Sequence, residues 1–453
     1  MISLTLGQIA EITRGVCING ELRGRITGIS IDSRSLKKND LFIALKGENF
    51  DGHNFVETAL KTCKAVLVEK PVKITVPGTV IKVHSTLEAL QDIAAFRRTK
   101  ISACVIAVTG SNGKTTVKDM ITHILKKNFR VVSAEKSFNN FIGTPLTVLR
   151  ADMKTEILVT EMETNVLGGT HLLCRITQPK MGVVTNIGNT HLEFLKSKHN
   201  VFREKSELLK YLDSSGTCFI NNDDAAADKM KKNTSAKIVT FSIEKKSDFR
   251  AKILRQSLAG SFFSLHGKKL FLRVPGSFNV LNAAAAIAVV RQFGLGWSAI
   301  KEGLLSFRQQ SGRTGVKKIK NRILLNDSFN ANPDSVEVLC EIVMREKGKK
   351  CLVFGDMLEL GGAAGRMHRK AGADFARAGV VKIFYFGRFG ASFIAGAKKI
   401  NGKIEAQVFR KKSKLINRIK KETARIYIFK GSRKMKIEEV FNGVVKHLSS
   451  RNR

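Results

Sequence analysis

Ala107-Val-Thr-Gly-Ser-Asn-Gly-Lys-Thr-Thr116 lies between the apolar run Cys104-Val-Ile-Ala-Val108 and a stretch that brings Val117, Met120, Ile121 and Ile124 onto one helical face. A buried strand, a glycine loop and an amphipathic helix in that order make a cradle for phosphate. Gly110 and Gly113 admit an anion close to the backbone N–H groups of the loop, which also includes Ser111 and Asn112. Lys114 supplies a positive charge at the β- and γ-phosphates, and Thr115, followed by Thr116, offers a hydroxyl to Mg²⁺. The generic phosphate-loop pattern asks for glycine at position 108, where this chain has Val108, so that pattern alone is incomplete. The context is nonetheless that of a nucleotide site, with ATP and Mg²⁺ as the expected ligands.

Strand and helix continue to alternate on both sides of the loop. Ile157-Leu-Val-Thr160 and Met181-Gly-Val-Val-Thr185 are short apolar runs of the kind buried in a parallel sheet covered on both faces. Beyond Gly312 the pattern restarts, with strands expected at Ile323–Leu325, Cys351–Phe354, Lys382–Phe386 and Arg425–Phe429, and without a Gly-x-Gly-x-x-Gly fingerprint. Upstream, a helix is expected at Leu6–Thr13 and strands at Asp40–Leu45 and Ala65–Val68, before Pro71 and Pro77 break the chain. The expected fold is α/β in three domains: residues 1–85, a central P-loop-like parallel-sheet ATPase domain over 86–312, and a C-terminal Rossmann-like domain over 313–453. A length of 453 residues agrees, at about 150 residues per domain.

Composition excludes several classes. No run approaches the roughly 18 apolar residues of a membrane span, and Met1-Ile-Ser-Leu-Thr-Leu6 lacks the basic start of a signal peptide, so a cytoplasmic protein is expected. The seven cysteines, at 17, 63, 104, 174, 218, 340 and 351, never fall in Cys-x-x-Cys spacing, which argues against a disulfide frame or a zinc site. A net charge of +40 would attract nucleic acid, anionic lipid or acidic small molecules. Its basic residues, however, form short clusters along the whole chain, such as Arg97-Arg98-Thr99-Lys100 and Lys411-Lys412-Ser413-Lys414, with no helicase-like motif and no interleaved stacking aromatics. A solvated basic surface is the expected reading, and nucleic acid is not an expected partner.

Three further residues suggest chemistry. Glu161 follows the strand Ile157–Thr160 at the carboxyl end of a parallel sheet, where ligands collect; the position suits a Mg²⁺ ligand and an ordinary solvated carboxylate equally, and Glu163 competes with it. His191 follows Met181–Thr185 by the short loop Thr185-Asn-Ile-Gly-Asn-Thr190, again at a carboxyl end, where a histidine is structural more often than catalytic. Lys205 shares a helical face with Val201, Leu208 and Leu209. Burial there lowers the pKa of a lysine and opens it to CO₂, unless its long stem carries the ammonium out to water.

Together these pieces resemble the Mur ligase family over nearly the whole chain. The family's Thr-Gly-x-Asn-Gly-Lys-Thr-Thr is Thr109–Thr116, and its Asn-Asn-x-x-Gly-x-Pro is Asn139-Asn140-Phe-Ile-Gly143-Thr-Pro145. The resemblance implies that Glu161 is a magnesium ligand, His191 a second-metal ligand, and Lys205 a lysine carrying a CO₂-derived carbamate, so that Thr115, Glu161, His191 and Lys205 would serve two Mg²⁺ ions. Asn279 and Asn282, in Pro275-Gly-Ser-Phe-Asn279-Val-Leu-Asn282, inherit contacts to adenine, and Arg313 and Asp327 near the domain junction are expected at the nucleotide. Asp32-Ser33-Arg34 matches the part of the family that holds a UDP-sugar, which places Ser33 and Arg34 at the substrate with Asn139 and Asn140. Asn330-Ala-Asn332-Pro333 and Gly355-Asp-Met-Leu-Glu-Leu-Gly361 are similar to the branch that joins D-alanyl-D-alanine to UDP-N-acetylmuramoyl-tripeptide, with Asn330 and Asn332 at the substrate.

That resemblance implies an ATP-dependent ligase working through an acyl phosphate, with Lys114, His191 and Lys205 as its catalytic side chains and a monomer as its expected state. A folylpolyglutamate-type ligase ranks second, and an ATP-using nucleic-acid-binding protein ranks behind both. The chain departs from the pattern at Glu163, where glycine is expected, at Gly169, where an acidic residue is usual, at Phe278, in place of histidine, and at Lys434, in place of glycine. Glu163 either crowds the nucleotide and its metal or faces solvent.

Overall fold

The central sheet is entered in its middle. In the computed structural model, which describes residues 3–48, 50–135 and 138–450, strand Cys104–Thr109 lies between Ile157–Glu161 and Met181–Val184, all parallel. From it the chain runs to the edge strand Val131–Ser133 and returns through Ile157–Glu161. It then crosses over to Met181–Val184, Thr217–Asn221, Lys237–Ser242 and Phe249–Arg250, giving seven strands. The crossing reverses the direction in which strands are added, and such a switch point opens a crevice outside the carboxyl ends of the strands. The glycine loop, Glu161 and segment 185–191 all leave the sheet at this crevice.

Val105, Ile106, Ala107 and Val108 are fully buried, because both faces of the sheet are covered; the strand therefore reads as an unbroken apolar run. Val117, Met120, Ile121 and Ile124 form the buried face of helix Lys114–Leu125, as their spacing predicts. Each such side chain contributes about 1.5–3 kcal/mol through burial. Helix Ser277–Arg291 packs against that helix; its run of four alanines, Ala283 to Ala286, keeps the two backbones close. Strands Lys237–Ser242 and Phe249–Arg250 and the antiparallel meander Lys252–Ser257, Gly260–Leu265 and Lys268–Leu272 are not announced by apolar runs, since exposed lysines and arginines punctuate all of them but Gly260–Leu265, which Ser261 and Ser264 interrupt.

The N-terminal domain has a five-stranded sheet in which Asp40–Ile43 and Ala65–Val68 are neighbours. Helix Leu6–Thr13 begins at a capping box, in which the Gln8 N–H donates to the Thr5 hydroxyl at 3.1 Å and the Thr5 N–H to the Gln8 side chain at 3.0 Å. Helix Thr86–Thr99 serves two cores: Ala89, Leu90 and Ile93 pack with the N-terminal sheet, and Ala94 with Ile101, Ala103 and Val105.

In the third domain, Arg322–Asp327, Ile426–Lys430, Lys350–Gly355, Val380–Phe386 and Glu405–Phe409 form a parallel sheet in that spatial order, with Gly315–Ile319 antiparallel at its edge. All four strands expected here are present, and the first extends to Asp327 because strand Ile426–Lys430 supplies backbone partners past the last leucine.

Among the described residues no helix is long and apolar enough to cross a membrane. Met1 and Ile2, at the head of the Met1–Leu6 stretch, lie outside the described residues. All seven cysteines are free, and burial pushes the Cys218 thiol up to about 11, which makes it inert packing.

Candidate active site

The loop is shaped by what its glycines touch. Gly110 has φ 135° and Gly113 φ 83°, conformations open to glycine; a Cβ at Gly110 would sit 2.1 Å from the Thr185 hydroxyl, and one at Gly113 2.5 Å from Asn282 Oδ1. Asn282 and Asn279 thus stand directly behind the loop on helix Ser277–Arg291, both buried, with Asn279 Nδ2 donating to the Pro275 carbonyl at 2.7 Å. Segment 185–191 holds the loop from the other side: the Ser111 N–H donates to the Asn186 carbonyl at 2.9 Å, the Asn112 N–H to Asn186 Oδ1 at 3.0 Å, and the Gly188 N–H to the Ser111 hydroxyl at 2.7 Å. Helix Lys114–Leu125 has no side-chain cap at Gly113, so its leading N–H groups remain free for an anion.

Glu161 is the last residue of its strand and is 1% exposed, so the solvated reading of this carboxylate does not hold. Its Oε1 accepts from the Thr115 hydroxyl at 2.9 Å and from Asn139 Nδ2 at 2.9 Å, whereas its Oε2 is buried without a partner. An orphaned carboxylate oxygen beside a threonine hydroxyl suits a hard divalent cation. Among the described residues no three His, Cys, Asp or Glu side chains are grouped to hold a metal by themselves. A cation here would thus complete its shell with water and phosphate oxygens, as Mg²⁺ commonly does.

Glu163 points into the site, with its side chain still 32% exposed at the mouth of the crevice. Its Oε1 lies 3.5 Å from Lys114 Nζ and 3.5 Å from His191 Nε2, and the Lys114 charge holds its carboxyl well below the usual range. His191 adopts a left-handed backbone, φ 54°, and its Nδ1 lies 2.6 Å from Glu359 Oε2 of the third domain. Burial lowers the basicity of this imidazole, but hydrogen bonds to Glu163 and Glu359 outweigh it and leave its pKa raised. Lys114 is 7% exposed and donates to the Ser111 carbonyl at 3.2 Å.

Lys205 is completely buried, which rules out snorkelling to water. Its Nζ donates to the Thr164 carbonyl at 3.0 Å. Burial, reinforced by Lys114 and opposed by Glu163 and Glu204, brings its pKa down to about 8, so a neutral amine is accessible near neutral pH. The neighbouring Glu204 is spent on structure, accepting from the Thr164 hydroxyl at 2.5 Å and the Gly168 and Thr170 N–H groups at 2.7 and 2.5 Å.

The other expected residues divide. Asn139 bridges Glu161 and Glu163, while Asn140 Oδ1 accepts the Ile142 and Gly143 N–H groups at the start of helix Gly143–Leu149. Asn332 spends both ends of its amide: Oδ1 accepts the Ser335 N–H at 2.8 Å, and Nδ2 donates to Asn112 Oδ1 at 2.8 Å. Asp327 takes Lys430 Nζ at 2.5 Å, Asn330 turns its carbonyl toward the same ammonium at 3.2 Å, and the Arg313 guanidinium stacks 3.8 Å from the centre of the Phe329 ring. Ser33 and Arg34 sit on the one-turn helix Ser33–Ser35 of the N-terminal domain, with Arg34 bonded to Asp32. Glu359 and Asp334, whose Oδ2 accepts the Asn189 N–H at 2.8 Å, were not singled out from the sequence. Of the departures from the family pattern, Gly169 begins helix Gly169–Thr177, Phe278 packs against the third-domain core, and Lys434 is exposed.

A phosphate loop at a sheet switch point, a buried carboxylate with a free oxygen and a buried lysine of depressed basicity define an enzyme that handles a nucleotide triphosphate. Residues 25–98 match the Mur ligase family catalytic domain, 108–290 the Mur ligase middle domain and 312–433 the Mur ligase glutamate ligase domain. A UDP-N-acetylmuramoyl-tripeptide–D-alanyl-D-alanine ligase of Bacillus subtilis is 34% identical over 98% of this chain and 99% of its own length. A crystal structure of MurF from Acinetobacter baumannii superposes with a TM-score of 0.89 at 28% identity, covering 98% of this chain and 99% of that one. MurF from Thermotoga maritima in complex with ADP superposes with a TM-score of 0.80 at 25% identity, covering 93% and 98%. The chain belongs to the Mur ligase family, a family of ATP-dependent, amide-bond-forming ligases.

Proposed function

We propose that this protein joins D-alanyl-D-alanine to UDP-N-acetylmuramoyl-tripeptide at the expense of ATP, working in the cytoplasm as a monomer. The observation that carries this reading is the convergence of Lys114, the unpartnered oxygen of Glu161 and the buried Lys205 on one crevice, in a chain 34% identical end to end to a ligase of that name. Thr115 and Glu161 would hold one Mg²⁺, and His191 with a carbamate on Lys205 a second; bound there, Mg²⁺ neutralises charge on the transferring phosphoryl group. Lys114 and the leading N–H groups of its helix bind the phosphates, and Asn279 and Asn282 stand on the side where adenine would lie. The terminal carboxylate of the tripeptide attacks the γ-phosphorus, ADP leaves, and an acyl phosphate results. The dipeptide amine then attacks the acyl carbon, loses a proton and expels phosphate.

Water would destroy that acyl phosphate, so the site has to be covered. The bonds from Asn332 to Asn112, Asp334 to Asn189 and Glu359 to His191 lay the third domain against the loop and supply that cover. The folylpolyglutamate-type alternative is disfavoured by the Asn330-Ala-Asn332-Pro333 element that makes the first of these contacts. Phosphate release from ATP, measured with each substrate omitted in turn, tests the reading: release requires both. Release indifferent to the substrates, or stimulated by polynucleotide, overturns it.

A further inference from the structure

Glu163 stands where the family pattern has glycine, and its carboxylate reaches both Lys114 and His191 at the head of the crevice. It lies 3.5 Å from Lys114 Nζ and 3.5 Å from His191 Nε2, and its Oε2 accepts from Asn139 Nδ2 at 2.8 Å. The side chain also starts from a fixed point, since the Glu163 N–H donates to the Asn139 carbonyl at 2.8 Å. Lys114 otherwise has the Ser111 carbonyl, at 3.2 Å. The negative charge therefore rests on the ammonium that a phosphate loop offers to its ligand.

We propose that Glu163 is a specificity-determining residue of the nucleotide site, an internal counter-anion on Lys114 that excludes a bare triphosphate and admits one carried with a divalent cation. The inference rests on the ATP-ligase reading above. A metal-free triphosphate brings several negative charges to a lysine already neutralised, and it meets a fixed carboxylate in a site partly shielded from water, where like charges a few ångströms apart repel strongly. A divalent cation reverses the sign of that encounter, because Glu163 and the unpartnered Oε2 of Glu161 both attract it. With glycine at this position, Lys114 would take bare and metal-bound nucleotide with far less discrimination.

Calorimetric titration of the full-length protein with the non-hydrolysable analogue AMP-PNP, with Mg²⁺ and again with EDTA, tests the assignment. Glu163→Gln keeps the shape and the bond to Asn139 but removes the charge, and Glu163→Gly restores the family residue. The variants are expected to bind metal-free AMP-PNP about tenfold or more tightly than the native protein and to differ much less with Mg²⁺, so the ratio of metal-free to metal-bound Kd falls about tenfold. A ratio equal in native protein and Glu163→Gln overturns the assignment, as does weaker metal-free binding by that variant. If native and variant proteins bind no nucleotide under either condition, the ligase reading falls together with this one; equal metal dependence removes only the role of Glu163. Should Glu163→Gly unfold, the isosteric Glu163→Gln decides alone.

Discussion

Asn332 Nδ2 donates to Asn112 Oδ1 at 2.8 Å, tying the N-cap of a third-domain helix to the middle of the phosphate loop. The same asparagine caps helix Pro333–Met344 in a capping box with Ser335. Asn332→Ala removes both contacts; loss of such a cap costs about 1 kcal/mol. Ser335→Ala weakens the cap alone. We expect the two variants to melt within a few degrees of each other, with kcat falling at least about tenfold only in Asn332→Ala. Equal kcat in both would show that the bond to Asn112 does nothing in turnover.

Lys205 has its ammonium wholly buried, and its pKa falls from 10.5 to about 8 on folding. Below pH 8 both states hold the proton and the cost of burying it is present in full. Between pH 8 and 10.5 only the unfolded chain remains protonated, so the native protein gains stability as pH rises, by about 3 kcal/mol in all. Lys205→Met lacks this term. In CO₂-free buffer, where the native lysine carries no carbamate, its melting temperature is expected to exceed that of the native protein at pH 7 by a margin that shrinks by pH 10, while its ligase activity, assayed with CO₂ present, is lost. A margin independent of pH would contradict the burial argument.

How much of this site is legible in the sequence depends on how local its causes are. The loop, Glu161 and segment 185–191 end strands that are written as apolar runs, and the sheet's order does the rest by bringing three carboxyl ends together. Lys205 is legible because Val201, Leu208 and Leu209 mark the inner face of its helix. Glu359 and Asp334 are not, because their partners lie 168 and 145 residues away in another domain and no periodicity records such a contact. The direction of Glu163 is also hidden: strand alternation stops at Glu161, and past that point the turn decides which way a side chain faces.

Gly113 lies 2.5 Å, measured from an added Cβ, from Asn282 Oδ1, and its φ of 83° is one that L side chains rarely adopt. Gly113→Ala therefore pushes the loop off helix Ser277–Arg291 at the point where the proposed site would hold phosphates and adenine together. The expected outcome is a loss of about 1–3 kcal/mol of stability and at least tenfold weaker ADP binding by calorimetry. Unchanged affinity would mean that Asn282 moves away freely and that its place behind the loop has no part in holding nucleotide.

Glu359 makes two contacts across the domain boundary: its Oε2 lies 2.6 Å from His191 Nδ1, and its carbonyl accepts the Glu193 N–H at 3.1 Å. An imidazole held through one nitrogen presents the other in a fixed direction, and loss of such a holding group commonly lowers metal affinity or activity about 10–100-fold. Glu359→Gln keeps an acceptor for His191 Nδ1–H, whereas Glu359→Ala keeps only the backbone bond. If Glu359 positions His191, kcat should fall 10–100-fold in the alanine variant and be largely retained in the glutamine variant, with the KM for ATP changed little in either. If both variants lose kcat equally, it is the charge of Glu359, not its hold on the ring, that the reaction requires. If neither does, the contact belongs to the closed fold alone.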